Sequence, residues 1–127
     1  MASTTFSGPV TSTNGFIGAL TGNVTGNITG DVTATVQSLS GAGAVNITDM
    51  MTSLTTTGAS QALTLANGTV GQIKIITHTV DGGSAVLTPT TKIGFSTVTF
   101  TAVGDSVSLI YSSAGWVIFG DRGVTIA

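Results

Sequence analysis

Apolar and small polar residues alternate strictly over residues 20–36. The even positions carry aliphatic residues separated by Gly or Ala, and the odd positions carry only Thr, Asn and Asp. Alternate residues of an extended chain face opposite ways, so this segment is predicted to have one apolar and one polar face. Because every second residue of the apolar face lacks bulk, another backbone can approach it closely. The pattern therefore predicts a segment that is completed by other chains.

The large residues of the apolar face recur at every fourth position and form what we call the stripe: Leu20, Val24, Ile28, Val32 and Val36. Two geometries fit this period. In the first, an extended arm runs along neighbouring chains. In the second, the Thr-Gly-Asn triplets are turns that wind the chain into short rungs. Both geometries need several copies or a partner surface to bury the stripe, and the sequence does not decide between them.

The rest of the chain alternates short β-type runs with turn signals. Nine strands are predicted, at 44–48, 53–57, 61–66, 72–80, 85–88, 97–102, 106–111, 116–120 and 124–127. The turns at 81–83 and 113–115 have the spacing of hairpins. Small residues predict a hinge at 39–43, between an N-terminal repeat arm over 1–38 and a β domain over 44–127. The predicted fold is all-β: an extended Gly/Thr-rich N-terminal β arm, then an antiparallel β-sandwich or barrel.

The alternation within these runs also predicts a core. Its candidates are the aliphatic and aromatic residues on one side of each run: Leu63, Leu65, Ile73, Ile75, Val86, Val98, Phe100, Val107, Leu109, Trp116 and Ile118. Trp116 and Phe119 have opposite parity on one strand, so they cannot share a face. We therefore predict Trp116 in the core and Phe119 at an oligomer interface.

Charge is scarce, at 6% of residues where about 25% is typical. The acidic residues are all Asp, and the net charge is −2 with three basic residues. So few cations exclude a nucleic-acid footprint and a polybasic membrane patch. A nearly neutral surface suits a subunit that buries much of it in an assembly. The plainer alternative is a small secreted Thr-rich domain.

Candidate chemistry is equally sparse. The single histidine, His78, lies between two threonines inside a predicted strand, and Ser106 lacks the second Gly and the following helix of a nucleophile elbow. The aspartates lie beside Gly or in turns, where Asp commonly caps its own backbone. We therefore predict no catalytic, metal-binding or cofactor-binding residue and no enzymatic activity. The chain has no Cys, no run of membrane-spanning length and no signal-peptide pattern, which predicts synthesis in a cytoplasm without secretion.

Several segments, taken in order, resemble short virion proteins of tailed bacteriophages, especially cyanophages and other marine phages. The segments are 6–16, the Thr-Gly-Asn repeats, 65–74, 81–83, and 104–107 followed by 115–117. Together they cover most of the chain, and the resemblance lies in their joint order because none is a catalytic signature. The chain departs from tail-fibre relatives in size, since those carry similar modules in longer chains.

The resemblance implies a capsid decoration, or cement, protein without an active site or cofactor. Such a protein binds the outer surface of the virion capsid as a homotrimer, with the major capsid protein as partner, and is made in the host cytoplasm. The expected mechanism is bridging, in which each trimer clamps adjacent capsid subunits. The alternative function is a short tail or head fibre module, or a carbohydrate-binding tip that recognises a receptor.

Large apolar side chains dominate the energy of protein interfaces. Capsid contact is therefore predicted at the large apolar residues and the proline near the N-terminus: Phe6, Pro9, Val10, Phe16 and Ile17. The stripe is predicted to pack between the chains of an intertwined homotrimer, because closed cyclic symmetry completes a repeated one-sided surface.

Overall fold

The computed structural model describes residues 7, 8, 11, 13, 14 and 24–127. Val32–Ala127 form one compact unit, which we call the β unit, and the chain up to Asp31 belongs to a separate unit. Within 24–127 all regular structure is β, with no helix. The strands are β1 (Val36–Ser40), β2 (Gly43–Val45), β3 (Met51–Thr55), β4 (Gln61–Leu65), β5 (Ile73–Val80), β6 (Ala85–Pro89), β7 (Val98–Phe100), β8 (Ser106–Ser112), β9 (Gly115–Arg122) and β10 (Thr125–Ile126).

These strands form two five-stranded sheets. The front sheet has the order β1-β3-β5-β8-β9, and the back sheet has the order β10-β7-β6-β4-β2. Both sheets contribute to one buried cluster, so they pack face to face. Neither sheet closes on itself within the described chain. The all-β prediction is confirmed, and of its two alternatives the open sandwich describes the β unit.

The first six strands alternate between the two sheets. β1, β3 and β5 run parallel in the front sheet, and β2, β4 and β6 run parallel in the back sheet. Parallel neighbours need a crossover connection, and here each crossover passes through the opposite sheet. The chain therefore winds as a coil of three turns, and β7 to β10 then return antiparallel. The sheets are mixed, so the predicted antiparallel arrangement is wrong for the coil.

The turns explain part of this difference. The segment 81–83 joins β5 in the front sheet to β6 in the back sheet, so the hairpin predicted there is wrong. The hairpin predicted at 113–115 is confirmed, because Ser112 pairs with Gly115 across β8 and β9. Residues 39–43, predicted as a hinge, lie inside the β unit. There the chain leaves β1, turns at Gly41 with φ +76° and enters β2.

The core lies between the sheets. It consists of apolar side chains that are at most 2% exposed: Val45, Leu54, Leu63, Leu65, Ile76, Ala85, Leu87, Val98, Phe100, Val107, Leu109 and Trp116. Most of the predicted core residues belong to it, and Ile118 is partly buried against it. Ile73, Ile75 and Val86 do not, because β5 and β6 present their other faces to the interior.

The inward face of β5 is partly polar. Lys74, Ile76 and His78 are buried, whereas Ile73 and Ile75 lie on the outer face of the front sheet. Side chains in a strand alternate between faces, so the choice of one face fixes every residue of β5. This choice places a lysine and a histidine inside the β unit and two isoleucines outside it.

Candidate functional site

The described members of the stripe are exposed. Val24, Ile28, Val32 and Val36 are 55%, 61%, 71% and 51% accessible, respectively. Leu20, the first member, lies outside the described residues. Water contact with four large aliphatic side chains at a regular spacing is unfavourable, because apolar surface gains free energy when it is removed from water. The stripe is therefore a candidate interaction site.

The backbone between the stripe residues is also regular. Residues 24–35 form no strand, and the chain bends at Gly26 and Gly30, with φ of +126° and +130°. Only glycine adopts such values readily, so the four-residue sequence period is matched by a four-residue conformational period. A Cβ at either glycine would meet no atom of the described residues within 4 Å. Space around them remains open to a neighbouring backbone.

The residues predicted to contact a capsid cannot be compared with the structure. Phe6, Pro9, Val10, Phe16 and Ile17 all lie outside the described residues. They stay predictions that rest on the sequence.

A groove of about 460 Å³ opens on the β unit beside the start of β5. Its walls are the segment 32–35, the loop before β3 and the residues around the beginning of β5. The lining is aliphatic, threonine, glycine and glutamine: Val32, Thr33, Ala34, Thr35, Ile47, Thr48, Met50, Gly71, Gln72 and Ile73. None of these side chains is charged, and the groove offers a surface for an apolar contact.

The buried polar side chains hold the structure together. Thr56 Oγ1 lies 3.0 Å from His78 Nε2, accepts the Gly82 N–H at 2.9 Å and donates to the Gly83 carbonyl at 3.0 Å. With the hydroxyl proton directed to Gly83, the Thr56 oxygen accepts a hydrogen bond from Nε2–H of His78. Nδ1 then faces the interior and has no partner among the described residues. Thr56, the residue after β3, thus links the 82–83 turn to His78 on β5.

Asp105 caps the turn that precedes β8. Its Oδ2 accepts the backbone N–H groups of Thr101 at 2.7 Å and Ala102 at 3.0 Å. Burial by itself raises the pKa of Asp105, but these hydrogen bonds, with smaller contributions from the Thr101 hydroxyl and His78, outweigh it. The result is a pKa below the usual range of an aspartate, which means that folding favours the ionised carboxyl.

This direction predicts the acid sensitivity of the fold. Since the folded-state pKa is depressed, Asp105 stabilises the protein above its unfolded pKa of about 3.9, and the contribution disappears as pH falls through the folded value. Asp105→Asn is expected to cost about 1–3 kcal/mol at neutral pH. In urea denaturation series, the difference in unfolding free energy between wild type and variant should narrow as pH falls below about 5, because the carboxyl then becomes protonated. A gap independent of pH would contradict the assignment.

Lys74 is the second ionisable group of the interior. It is 1% exposed, and its Nζ donates to the backbone carbonyl of Asp49 at 2.7 Å. Burial lowers the pKa of Lys74 to about 8, and the charge of Asp49 opposes that shift. The sequence signal for Lys74 and His78 is the alternation of β5, which by itself does not say which face of the strand points inward.

Ser106 and His78 are not brought together by the fold. Ser106 pairs with Thr77 on the outer face of the front sheet, whereas His78, the next residue of β5, points into the interior. The two side chains therefore lie on opposite sides of the sheet. In the part of the chain that the structure describes, no group of three metal-binding side chains comes together. The same part contains no helix long and apolar enough to span a membrane.

No protein-family model and no curated protein matches this chain.

Proposed function

We propose that this chain is a bacteriophage capsid decoration protein, a homotrimer that binds the outer surface of the shell and bridges major capsid subunits. The observation that carries the proposal is the exposure of Val24, Ile28, Val32 and Val36 in the single chain. A regular apolar stripe with open space at its glycines needs other chains to cover it. The resemblance of several segments, in order, to short virion proteins of tailed bacteriophages is the reason for proposing a phage capsid as the assembly.

The interior of the β unit agrees with a binding role. Two of its ionisable groups make structural hydrogen bonds, Asp105 to the turn before β8 and Lys74 to Asp49. The open groove offers an apolar lining without a charged side chain. On this proposal, the protein acts through its binding surfaces. Each trimer that binds the assembled shell, but not the free subunits, stabilises the shell by mass action.

The stripe predicts a sharp mutational result. Val24→Asp with Ile28→Asp places two charges in a dry interchain contact, which costs several kcal/mol when the charges stay unpaired. We expect the double variant to behave as a monomer of 12.5 kDa, and wild type to have three times that mass, in light scattering after gel filtration. The variant should also fail to co-sediment with emptied heads of the phage that encodes the chain.

The matched control is Thr25→Asp with Thr29→Asp. It adds the same charge to the same segment at exposed polar positions, and it should leave both the native mass and the co-sedimentation unchanged. Wild-type assembly by the Val24/Ile28 variant would contradict the role of the stripe. A wild-type trimer without affinity for phage heads would contradict capsid decoration.

A fibre module is the second candidate, and the coil favours it. Coils stack along one axis, and β1 and β2 leave the first turn of the coil with a free edge in each sheet. If the protein is a fibre tip, the full-length chain should bind glycans and should not co-sediment with phage heads. Binding to a glycan array, together with no binding to phage heads, would support the fibre module and contradict capsid decoration.

A further inference from the structure

The outer face of the front sheet carries a continuous apolar patch. Across β1, β3 and β5, Val36 pairs with Met51, and Met51 pairs with Ile75. Across β5, β8 and β9, Ile73 pairs with Ile110, and Ile110 pairs with Val117. Ile73 and Ile75 are next neighbours on the same face of β5, so the two rows join. We call these residues, with Phe119 on β9, the front patch.

Four residues of the front patch, including Val36, are exposed in the single chain, and Met51, Ile75 and Val117 are partly buried. Phe119 is 58% exposed, and Ile73 and Ile110 are 38% and 36% exposed although they lie inside the sheet. Scattered apolar side chains are normal on a protein surface, but a contiguous set across five strands marks an interaction surface. The β unit already has a full core, so the front patch is additional to it.

The outer face of the back sheet has a different composition. Its outward strand positions are alanines, threonines and one valine: Ala44, Ala62, Thr64, Val86, Thr88, Thr99 and Thr125. Most of them are exposed. Thr and Ala on the outside are compatible with permanent contact with water. The two faces of one sandwich are therefore built for different surroundings.

Two observations indicate what covers the front patch. Val36 is both the last residue of the stripe and the first residue of the patch, so within the β unit a residue assigned to contact between copies lies on the front sheet itself. The outer face of the front sheet also carries almost no charge. Among its described strand positions, the one charged side chain is Arg122, which pairs with Ser106 at the end of β9. A charged partner would gain little there, whereas a second neutral copy fits.

We infer that the front patch packs against further copies of this chain, and that the back sheet faces solvent. The inference rests on the proposed homotrimer and adds the orientation of each β unit within it. Packed sheets lie about 10 Å apart, a distance that side chains such as Ile110 and Phe119 fill. Cyclic symmetry brings equivalent patches toward one axis, so one surface serves all copies.

The test compares lysine placed on the two faces. Ile110→Lys puts a charge in the middle of the front patch, and Thr88→Lys puts the same charge at an exposed position of β6, the central strand of the back sheet. We expect Ile110→Lys to move the native mass from that of three chains toward that of one, and Thr88→Lys to keep the wild-type mass. Circular dichroism checks that each variant keeps its β structure.

Phe119→Lys is the second variant, chosen because its exposed side chain contributes little to folding of the β unit. Trimers of wild-type mass from both Ile110→Lys and Phe119→Lys would overturn the inference. Disruption by Thr88→Lys to the same extent would also overturn it. Wild-type protein that is monomeric at every concentration would overturn the inference and the proposed trimer together.

Head binding separates the two proposals. A trimer that Ile110→Lys disrupts, but that does not co-sediment with phage heads, supports the front patch and contradicts capsid decoration. A wild-type protein that binds heads, with Ile110→Lys and Phe119→Lys still trimeric, supports decoration and overturns the front patch.

Discussion

Gly83→Ala is expected to destabilise the β unit by about 3 kcal/mol or more. An alanine Cβ at this position would lie 2.3 Å from the carbonyl oxygen of Gly58 and 2.4 Å from its carbonyl carbon. Both are backbone atoms, so no side-chain rotation relieves the overlap. The φ of +145° adds strain for any residue with a Cβ. The crossing from β5 to β6 depends on this close approach.

Gly94→Ala is the matched control for backbone strain. Gly94 has φ +81°, but a Cβ there would meet no atom within 4 Å. Gly94→Ala should therefore lower the free energy of unfolding by about 1 kcal/mol, the penalty of a left-handed conformation alone. Guanidinium denaturation of both variants measures the difference. Equal unfolding free energies would contradict the close approach at Gly83.

Trp116→Ala is expected to cost about 3–5 kcal/mol. The side chain is fully buried, and its ring packs edge-on against Tyr111 with 5.1 Å between centroids. Its Nε1 also donates to the Ala66 carbonyl at 2.9 Å, which ties the end of β4 to β9. Truncation removes both contacts and leaves a cavity where the two sheets meet.

Two substitutions separate these contributions, with denaturation followed by circular dichroism. Trp116→Phe keeps an aromatic ring but leaves the Ala66 carbonyl without its donor, so an intermediate cost of about 1–3 kcal/mol is expected. Val117→Ala changes the next residue of β9, which lies on the outer face, and should cost less than either change at Trp116. A Trp116→Ala variant as stable as Val117→Ala would contradict the packing described.

The positions of the strands could be predicted from local sequence. Each of the nine predicted runs overlaps one of β2 to β10, because alternation and turn residues are local signals. β1 was missed for a reason that is also local. Its second half, Ser38 to Ser40, lies beside the Gly-Ala-Gly run and reads as a linker. Pairing with β3 over five positions makes it a strand.

The inward face of β5 could not be predicted, because hydrophobicity favours the wrong answer. Burial of Ile73 and Ile75 would place Lys74 and His78 in water, which local energetics prefers. The structure buries the opposite face since Lys74 and His78 find backbone and hydroxyl partners on Asp49 and Thr56. Those partners are distant in sequence, so no local pattern contains them.

The candidate sites also differ in whether local sequence could predict them. The stripe was visible in the sequence because its period is short and complete within one segment. The front patch was not visible beyond Phe119, since it draws one or two residues from each of five strands whose order follows from the coil. Parallel pairing of β1, β3 and β5 leaves no turn signature between neighbours, whereas the β8–β9 hairpin does.

The winding of the coil also dictates the order in which the chain can fold during synthesis. Ser112 and Gly115 pair across a tight turn, so the β8–β9 hairpin closes locally, on the order of microseconds. Val36 must instead find Met51 after a passage through the back sheet, and such non-local pairing is slow. β1 leaves the ribosome before the other strands, yet the front sheet to which it belongs is incomplete until β8 and β9 have been made. On the proposed trimer, a nascent chain therefore completes its front patch only after β9 has been made, so packing through this surface follows synthesis of nearly the whole β unit.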